Sequence, residues 1–224
     1  MSFNNINYQK ILKYIKDSSK FYQNTAIPSI IAVTKTQPES VVLEALQAGI
    51  RSFGENRVQE ALIKYNNIKA NHHQVKLHMV VPLQTNKVKK ASEIFDCIHS
   101  LDRENLAHEF VKNVNFTSLV NISFFIQVNT GKEKQKAGIN FDEADGFIKY
   151  CLNDLKLNVI RLMCIPPYNE NPVPHYVLLK KLALQNQLQH LSMGMSNDYE
   201  IALKHGATFI RIGSQLFGDR QSIK

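Results

Sequence analysis

Lys35 closes the apolar run Ile30-Ile31-Ala32-Val33-Thr34, which sets an amine at the C-terminal end of the first expected strand. Desolvation penalises a cation held there, and an amine that has lost its proton is a nucleophile for aldehydes. The competing reading is a lysine whose long stem carries its charge back out to water. Two segments near the other end bear on the choice: residues 191–198, LSMGMSND, and residues 209–218, FIRIGSQLFG. Each reads as a strand followed by small residues. Gly194 and Gly213 lack a Cβ, which lets backbone approach a ligand, while Ser196 and Ser214 offer hydroxyls beside backbone N–H groups. Ser196 would also cap the helix that starts near Asp198, turning the positive end of its dipole toward an anion. Ordinary strand-to-helix turns use the same residue types, so their place after the last two strands is what points to phosphate. An aldehyde that also carries a phosphate is pyridoxal phosphate. Arg211 on the last strand could then reach its ring nitrogen, where a permanent cation discourages protonation and weakens the ring as an electron sink. A structural ion pair with a carboxylate is the alternative for Arg211.

Those residues are far apart in the chain, so the fold must gather them. Short β-rich runs alternate with amphipathic helical segments along the whole sequence. The expected strands are 30–34, 52–54, 77–81, 97–101, 124–128, 159–165, 190–193 and 209–212. About eight is the number that closes a parallel barrel, so the expected fold is an α/β, TIM-type (β/α)8 barrel in a single domain over residues 1–224. Thr36 and Glu39 have capping-box spacing, Val42, Ala45 and Leu46 follow at helical spacing, and Gly49 reads as the stop. Ala144, Phe147, Ile148, Cys151 and Leu152 form a second core stripe. An extra helix over 8–22, with Ile11, Leu12 and Ile15 on one face, is expected to cover the barrel's lower end. A doubly wound open sheet is the rival, but its first turn would carry a glycine-rich loop, and Thr34-Lys35-Thr36-Gln37 has no glycine. In a barrel every strand ends at the same face, which would bring Lys35, Asn56, Ser196, Arg211, Gly213 and Ser214 together.

Composition narrows the function classes. The chain has 224 residues, 44% of them apolar, enough for one substantial core. No stretch has the composition of a linker, and residues 166–174 (PPYNENPVP) read as a surface loop. No apolar run reaches the ~20 residues of a membrane span, and the first residues lack the basic and apolar regions of a signal peptide, so a cytoplasmic location is expected. Cys97, Cys151 and Cys164 are widely spaced in apolar surroundings and read as buried thiols, with neither a disulfide nor a metal site. None of the eight histidines has metal-ligand spacing; His72 and His73 read as loop, His78 and His99 as core. The net charge of +8 is scattered over helices, with one concentration at Lys87-Val88-Lys89-Lys90 and no nucleic-acid motif beside it. A solvated helix face and weak steering of anionic ligands are the expected consequences.

Five segments taken together resemble the pyridoxal-phosphate homeostasis protein family: Ala32-Val33-Thr34-Lys35-Thr36, residues 53–60 (FGENRVQE), Leu83-Gln84-Thr85-Asn86-Lys87, residues 191–196 (LSMGMS) and Ile210-Arg211-Ile212-Gly213-Ser214. The resemblance runs from about Ile30 to Gly218 in one order. It implies a barrel like the amino-terminal one of alanine racemase, with pyridoxal phosphate as a Schiff base on Lys35 and no established turnover. It also implies Asn56 near the cofactor ring, Arg211 near the pyridine nitrogen, and Ser196, Gly213 and Ser214 at the phosphate. Lys136, in residues 131–138 (GKEKQKAG), matches a lysine associated with a secondary cofactor position. Val81 stands where the family usually has glycine and would tighten the third strand's mouth. Arg161 replaces another common glycine. The expected function is a monomeric carrier or buffer for pyridoxal phosphate in vitamin B6 homeostasis, with apo-forms of pyridoxal-phosphate enzymes as partners. A racemase-like enzyme is the alternative. It needs a second acid/base from a further domain, for which the few residues after Gly218 are expected to leave no room.

Overall fold

The computed structural model describes residues 2–18 and 27–218. In chain order the strands are β1 Ser29–Val33, β2 Ser52–Glu55, β3 Lys76–Met79, β4 Cys97–Leu101, β5 Ser123–Asn129, β6 Ile139–Asn140, β7 Val159–Met163, β8 His190–Met195 and β9 Phe209–Ile212. The helices are α1 Asn5–Ser18, α2 Glu39–Gln47, α3 Val58–Asn71, α4 Val88–Ile94, α5 Glu104–Asn113, α6 Phe116–Asn121, α7 Phe141–Lys149, α8 Val173–Gln185, α9 Tyr199–Lys204 and α10 Ser214–Phe217. β1 pairs in parallel with both β2 and β9, and β4 pairs with β5, so the ring β1-β2-β3-β4-β5-β7-β8-β9 closes on itself. The two-residue β6 pairs with the C-terminal end of β5, outside that ring. The expected barrel is therefore the fold, and each expected strand lies within two residues of an observed one.

Alternation along the strands divides two cores. On β9, Ile210 and Ile212 pack outward in the main core between sheet and helices, with Val42, Phe53, Leu162 and Leu203 among its members. Phe209 and Arg211 face inward, where Cys97, Phe125 and Met163 form a small apolar layer inside the barrel. Parallel strands covered on both sides must be apolar nearly throughout, and all five residues of β4 are buried.

Helix ends show where local chemistry was read correctly and where it was not. Gly49 stops α2 at φ +108, a conformation that costs glycine little. The capping box does not form: the residue before α2 is Pro38, which offers no side-chain bond, and Thr36 lies in the left-handed region. Nor does Ser196 cap α9, whose N-cap position is Asp198. The extra helix starts earlier than expected, at Asn5, and its expected continuation to 22 lies outside the described residues. It does not cap the barrel's lower end but packs in the outer layer. Asn7 donates to the Gln215 carbonyl at 2.9 Å, and the Tyr14 ring meets Tyr199 edge-on. The reason is a vacancy in that layer: the described helix after β9 has only four residues, so the buried face of α1 (Tyr8, Ile11, Ile15) supplies the missing apolar cover. Each such side chain contributes about 1.5–3 kcal/mol on burial.

Candidate functional site

The C-terminal ends of the strands surround a cavity of about 880 Å³. Of the residues singled out in the sequence, Lys35, Ser196, Arg211, Gly213 and Ser214 line it. Asn56 follows β2 at the same end of the barrel but is not among the lining residues; its Oδ1 is buried with no hydrogen-bond partner among the described residues. Lys136 lines the cavity too, 2.7 Å from the Glu133 carboxylate and 3.5 Å from the Pro166 carbonyl. Apolar walls come from Val33, Val80, Val81 and Met195.

Lys35 is half-buried, two residues beyond β1, in a turn held from outside the strand. Thr36 has φ +64, a region that costs a β-branched residue about 1–2 kcal/mol. Its N–H donates to Glu60 Oε1 at 2.9 Å. On the other side of Lys35, the Thr34 carbonyl accepts from Lys64 Nζ at 2.9 Å. Lys64 also donates to Glu55 and Glu60, each at 2.9 Å, and Thr34 Oγ1 bonds Glu55 Oε1 at 2.8 Å. Burial pushes the Glu55 carboxyl up against the pull of Lys64. Burial also works against the Glu60 carboxylate, but bonds from Lys64 and the Thr36 N–H hold it below the usual range. The sequence reading missed this network. Its signal was the i, i+4 spacing of Glu60 and Lys64 on α3.

Arg211 is 4% exposed and points inward from β9. One terminal nitrogen donates to Ser192 Oγ at 2.6 Å and the other to the Cys164 carbonyl at 3.0 Å. No carboxylate forms a salt bridge with it among the described residues, which removes the structural ion pair as its explanation. Burial pulls its pKa down, yet a guanidinium stays charged at neutral pH. Ser192 Oγ lies 3.1 Å from His99 Nδ1, and His99 Nε2 lies 2.9 Å from His78 Nδ1. Arg211 can only donate, which leaves Ser192 Oγ its hydrogen and a second lone pair, and His99 completes the chain with one ring nitrogen donating and the other accepting. Both rings are then neutral, in agreement with burial, which drives His78 down to about 3 and His99 well below the usual histidine value.

The phosphate-type turns meet across the last two strands. The Gly213 N–H donates to Ser196 Oγ at 3.3 Å, and Gln215 Nε2 donates to the Ser196 carbonyl at 2.5 Å. α10 begins at Ser214, so its first N–H groups have no acceptor within the helix. Gly194 plays a different part from the one its sequence position suggested. It does not line the cavity. At φ +88, a Cβ there would stand 2.5 Å from the Ala202 Cβ, so glycine is needed for α9 to pack on β8.

The two departures from the resemblance separate spatially. Val81 lines the mouth, half-buried. Arg161 lies one layer deeper, in register with His190, its guanidinium 4.9 Å from the Phe125 ring centroid and 4.8 Å from that of Phe209. It does not line the cavity. Among the described residues no group of three His, Cys, Asp or Glu side chains could hold a metal, and no helix is long and apolar enough to cross a membrane.

Residues 8–221 match the family model described as alanine racemase, N-terminal domain. The pyridoxal phosphate homeostasis protein of Aquifex aeolicus is 41% identical over 201 residues, 86% of this chain and 87% of that protein. Its namesake in Haemophilus influenzae is 34% identical over 226 residues, 96% and 94% of the two chains. Among solved structures, PipY of Synechococcus elongatus PCC7942, with PLP bound, superposes with a TM-score of 0.76 at 31% identity, covering 92% of this chain and 99% of that one.

Proposed function

Because the chain belongs to the pyridoxal phosphate homeostasis protein family, built on the alanine racemase N-terminal domain, we propose that it holds pyridoxal 5′-phosphate as a reversible Schiff base on Lys35, as a carrier or buffer rather than an enzyme. The observation that carries this reading is the convergence of Lys35, Arg211 and the Ser196 and Gly213-Ser214 turns on one cavity.

The residues present fit the group. Lys35, Lys136 and Arg211 supply positive charge toward an anion, Ser196 and Ser214 supply hydroxyls, and Val33, Val80 and Val81 offer apolar surface to a flat ring. The cofactor contributes an aldehyde, to which an amine adds with loss of water and from which water or a second amine can release it. Lys35 is the amine assigned to that carbon. Arg211, fixed by Ser192 and Cys164, is assigned to the pyridine nitrogen, where it withholds a proton and so disfavours carbanion chemistry. Ser196, Gly213 and Ser214 are assigned to the phosphate, and Asn56 to the ring's edge. Apo-forms of pyridoxal-phosphate enzymes are the acceptors expected for the released cofactor, and the protein is expected to work as a cytoplasmic monomer whose single barrel spans residues 1–224.

Loading the protein with pyridoxal 5′-phosphate should give a visible absorption band that Lys35→Ala abolishes. Turnover is tested by solvent deuterium: no α-carbon exchange across a panel of amino acids is expected, and Lys35-dependent exchange would replace the carrier with a racemase-like enzyme.

A further inference from the structure

We propose that Lys64 and Glu60 are positioning residues for Lys35, gripping the two peptide groups that flank it and thereby fixing the direction in which its amine leaves the strand. This rests on the reading that Lys35 carries the cofactor. The geometry is specific. Lys64 Nζ spends one hydrogen on the Thr34 carbonyl and the others on Glu55 and Glu60, at 2.9 Å each. Glu60 spends the same oxygen on the Thr36 N–H at 2.9 Å. Holding the Thr34 carbonyl fixes the plane of the peptide before Lys35, and holding the Thr36 N–H fixes the plane after it. With both planes fixed, φ and ψ of Lys35 are fixed, and with them its Cα–Cβ direction. An i, i+4 ion pair with only a structural role on α3 would satisfy itself along the helix. Here both members also reach the backbone of another element, on either side of the one residue assigned to bond formation. The left-handed Thr36 gives the grip something to hold against, since extended backbone is the cheaper state for a threonine.

The pair also separates two lysines in one neighbourhood. The Lys64 side chain is 8% exposed, and three acceptors take its three hydrogens, so its amine has no lone pair to offer an aldehyde. Of the two, Lys35, half-buried, is the one that lines the cavity.

The test compares Lys64→Met, Glu60→Ala and Glu60→Gln with the unaltered protein, all shown to be folded by circular dichroism. Glu60 has a side chain 27% exposed, so its variants keep the question answerable if Lys64→Met fails to fold. Three quantities are read: the rate of borohydride-trappable attachment at Lys35, the affinity for pyridoxine 5′-phosphate, which has no aldehyde, and amide exchange at Thr36 in cofactor-free protein. Misplacement of a reacting atom by ~1 Å can cost about 100-fold, so Glu60→Ala and Lys64→Met should slow attachment about tenfold or more. The affinity for pyridoxine 5′-phosphate should stay within about twofold. Glu60→Gln retains an acceptor for Thr36 and should recover most of the lost rate. Thr36 exchange should quicken in Glu60→Ala. Attachment as fast in Glu60→Ala and Lys64→Met as in the unaltered protein overturns the proposal, as does a loss of attachment matched by an equal loss of pyridoxine 5′-phosphate affinity. An unaltered protein that traps no adduct at Lys35 removes the carrier reading, and the proposal with it.

Discussion

Two arginines inside one barrel stand a single layer apart and are treated differently. Arg211, at the mouth, has two backbone or side-chain acceptors at 2.6 and 3.0 Å and lines the cavity. Arg161, at the base, lies between Phe125 and Phe209, and its Nε and Nη1 are buried without a partner among the described residues. Neither has a carboxylate in a salt bridge among the described residues. The difference teaches what makes a cation inside the barrel part of a site. Arg211 is oriented by a chain of bonds running through Ser192 to two neutral histidines, whereas Arg161 is packed by ring faces that fix position more than direction. Orientation is what recognition of a ring nitrogen requires.

Arg211→Met should break the comparison most sharply. It strands Ser192 Oγ and the Cys164 carbonyl, costing about 1–3 kcal/mol of stability, and it should weaken pyridoxal 5′-phosphate at least about tenfold by loss of a charge-assisted contact. Denaturant titration and fluorescence binding read the two effects. Arg161→Met removes a partner only from the Cys97 sulfur, a weak acceptor. The lost cation–π contact, worth about 0.5–1 kcal/mol or somewhat more, is offset by relief of a desolvated charge. Its affinity should therefore stay within about twofold of the unaltered protein, and a tenfold loss would make the two arginines one site.

The histidines beneath Arg211 supply a pH signature of intermediate size. His78 has a folded pKa of about 3 against 6.5 for the free side chain, so between these values the unfolded state binds more protons. The neutral ring's contribution is fully present above pH 6.5 and drains away as pH falls toward 3. For His78 alone the loss from pH 7 to pH 5 is on the order of 2 kcal/mol. His78→Gln should flatten the acid limb of a stability–pH curve, and an unchanged slope would show that the ring is not buried neutral. The smallest effect is expected at the rim, where Val81→Gly should move the dissociation constant by about twofold or less.

Legibility in the sequence followed the range of the forces involved. β-branched runs such as Ile30-Ile31-Ala32-Val33 announced strands because parallel strands buried on both faces demand them. Convergence of Lys35 with Arg211 then followed from barrel geometry alone. Thr36 and Ser196 misled because a hydroxyl before a helix looks like a cap, while here Glu60 captures the Thr36 N–H and Gly213 captures the Ser196 hydroxyl from distant elements. Gly194 suggested ligand approach, and only the Ala202 contact shows that it serves packing. Arg161 was legible only as a residue standing in place of a glycine, because nothing in its own strand says that two phenylalanine rings from β5 and β9 would receive it. α1 was legible as a helix and not as a lateral one, because the slot it fills is defined by the shortness of α10 at the other end of the chain.

The most direct measurement is the peptide map of protein loaded with pyridoxal 5′-phosphate and reduced with borohydride. The account predicts a single modified peptide carrying the pyridoxyl group on Lys35, absent in Lys35→Ala. A modification on Lys136 or Lys64 with Lys35 unaltered, or no modification at all, would contradict it.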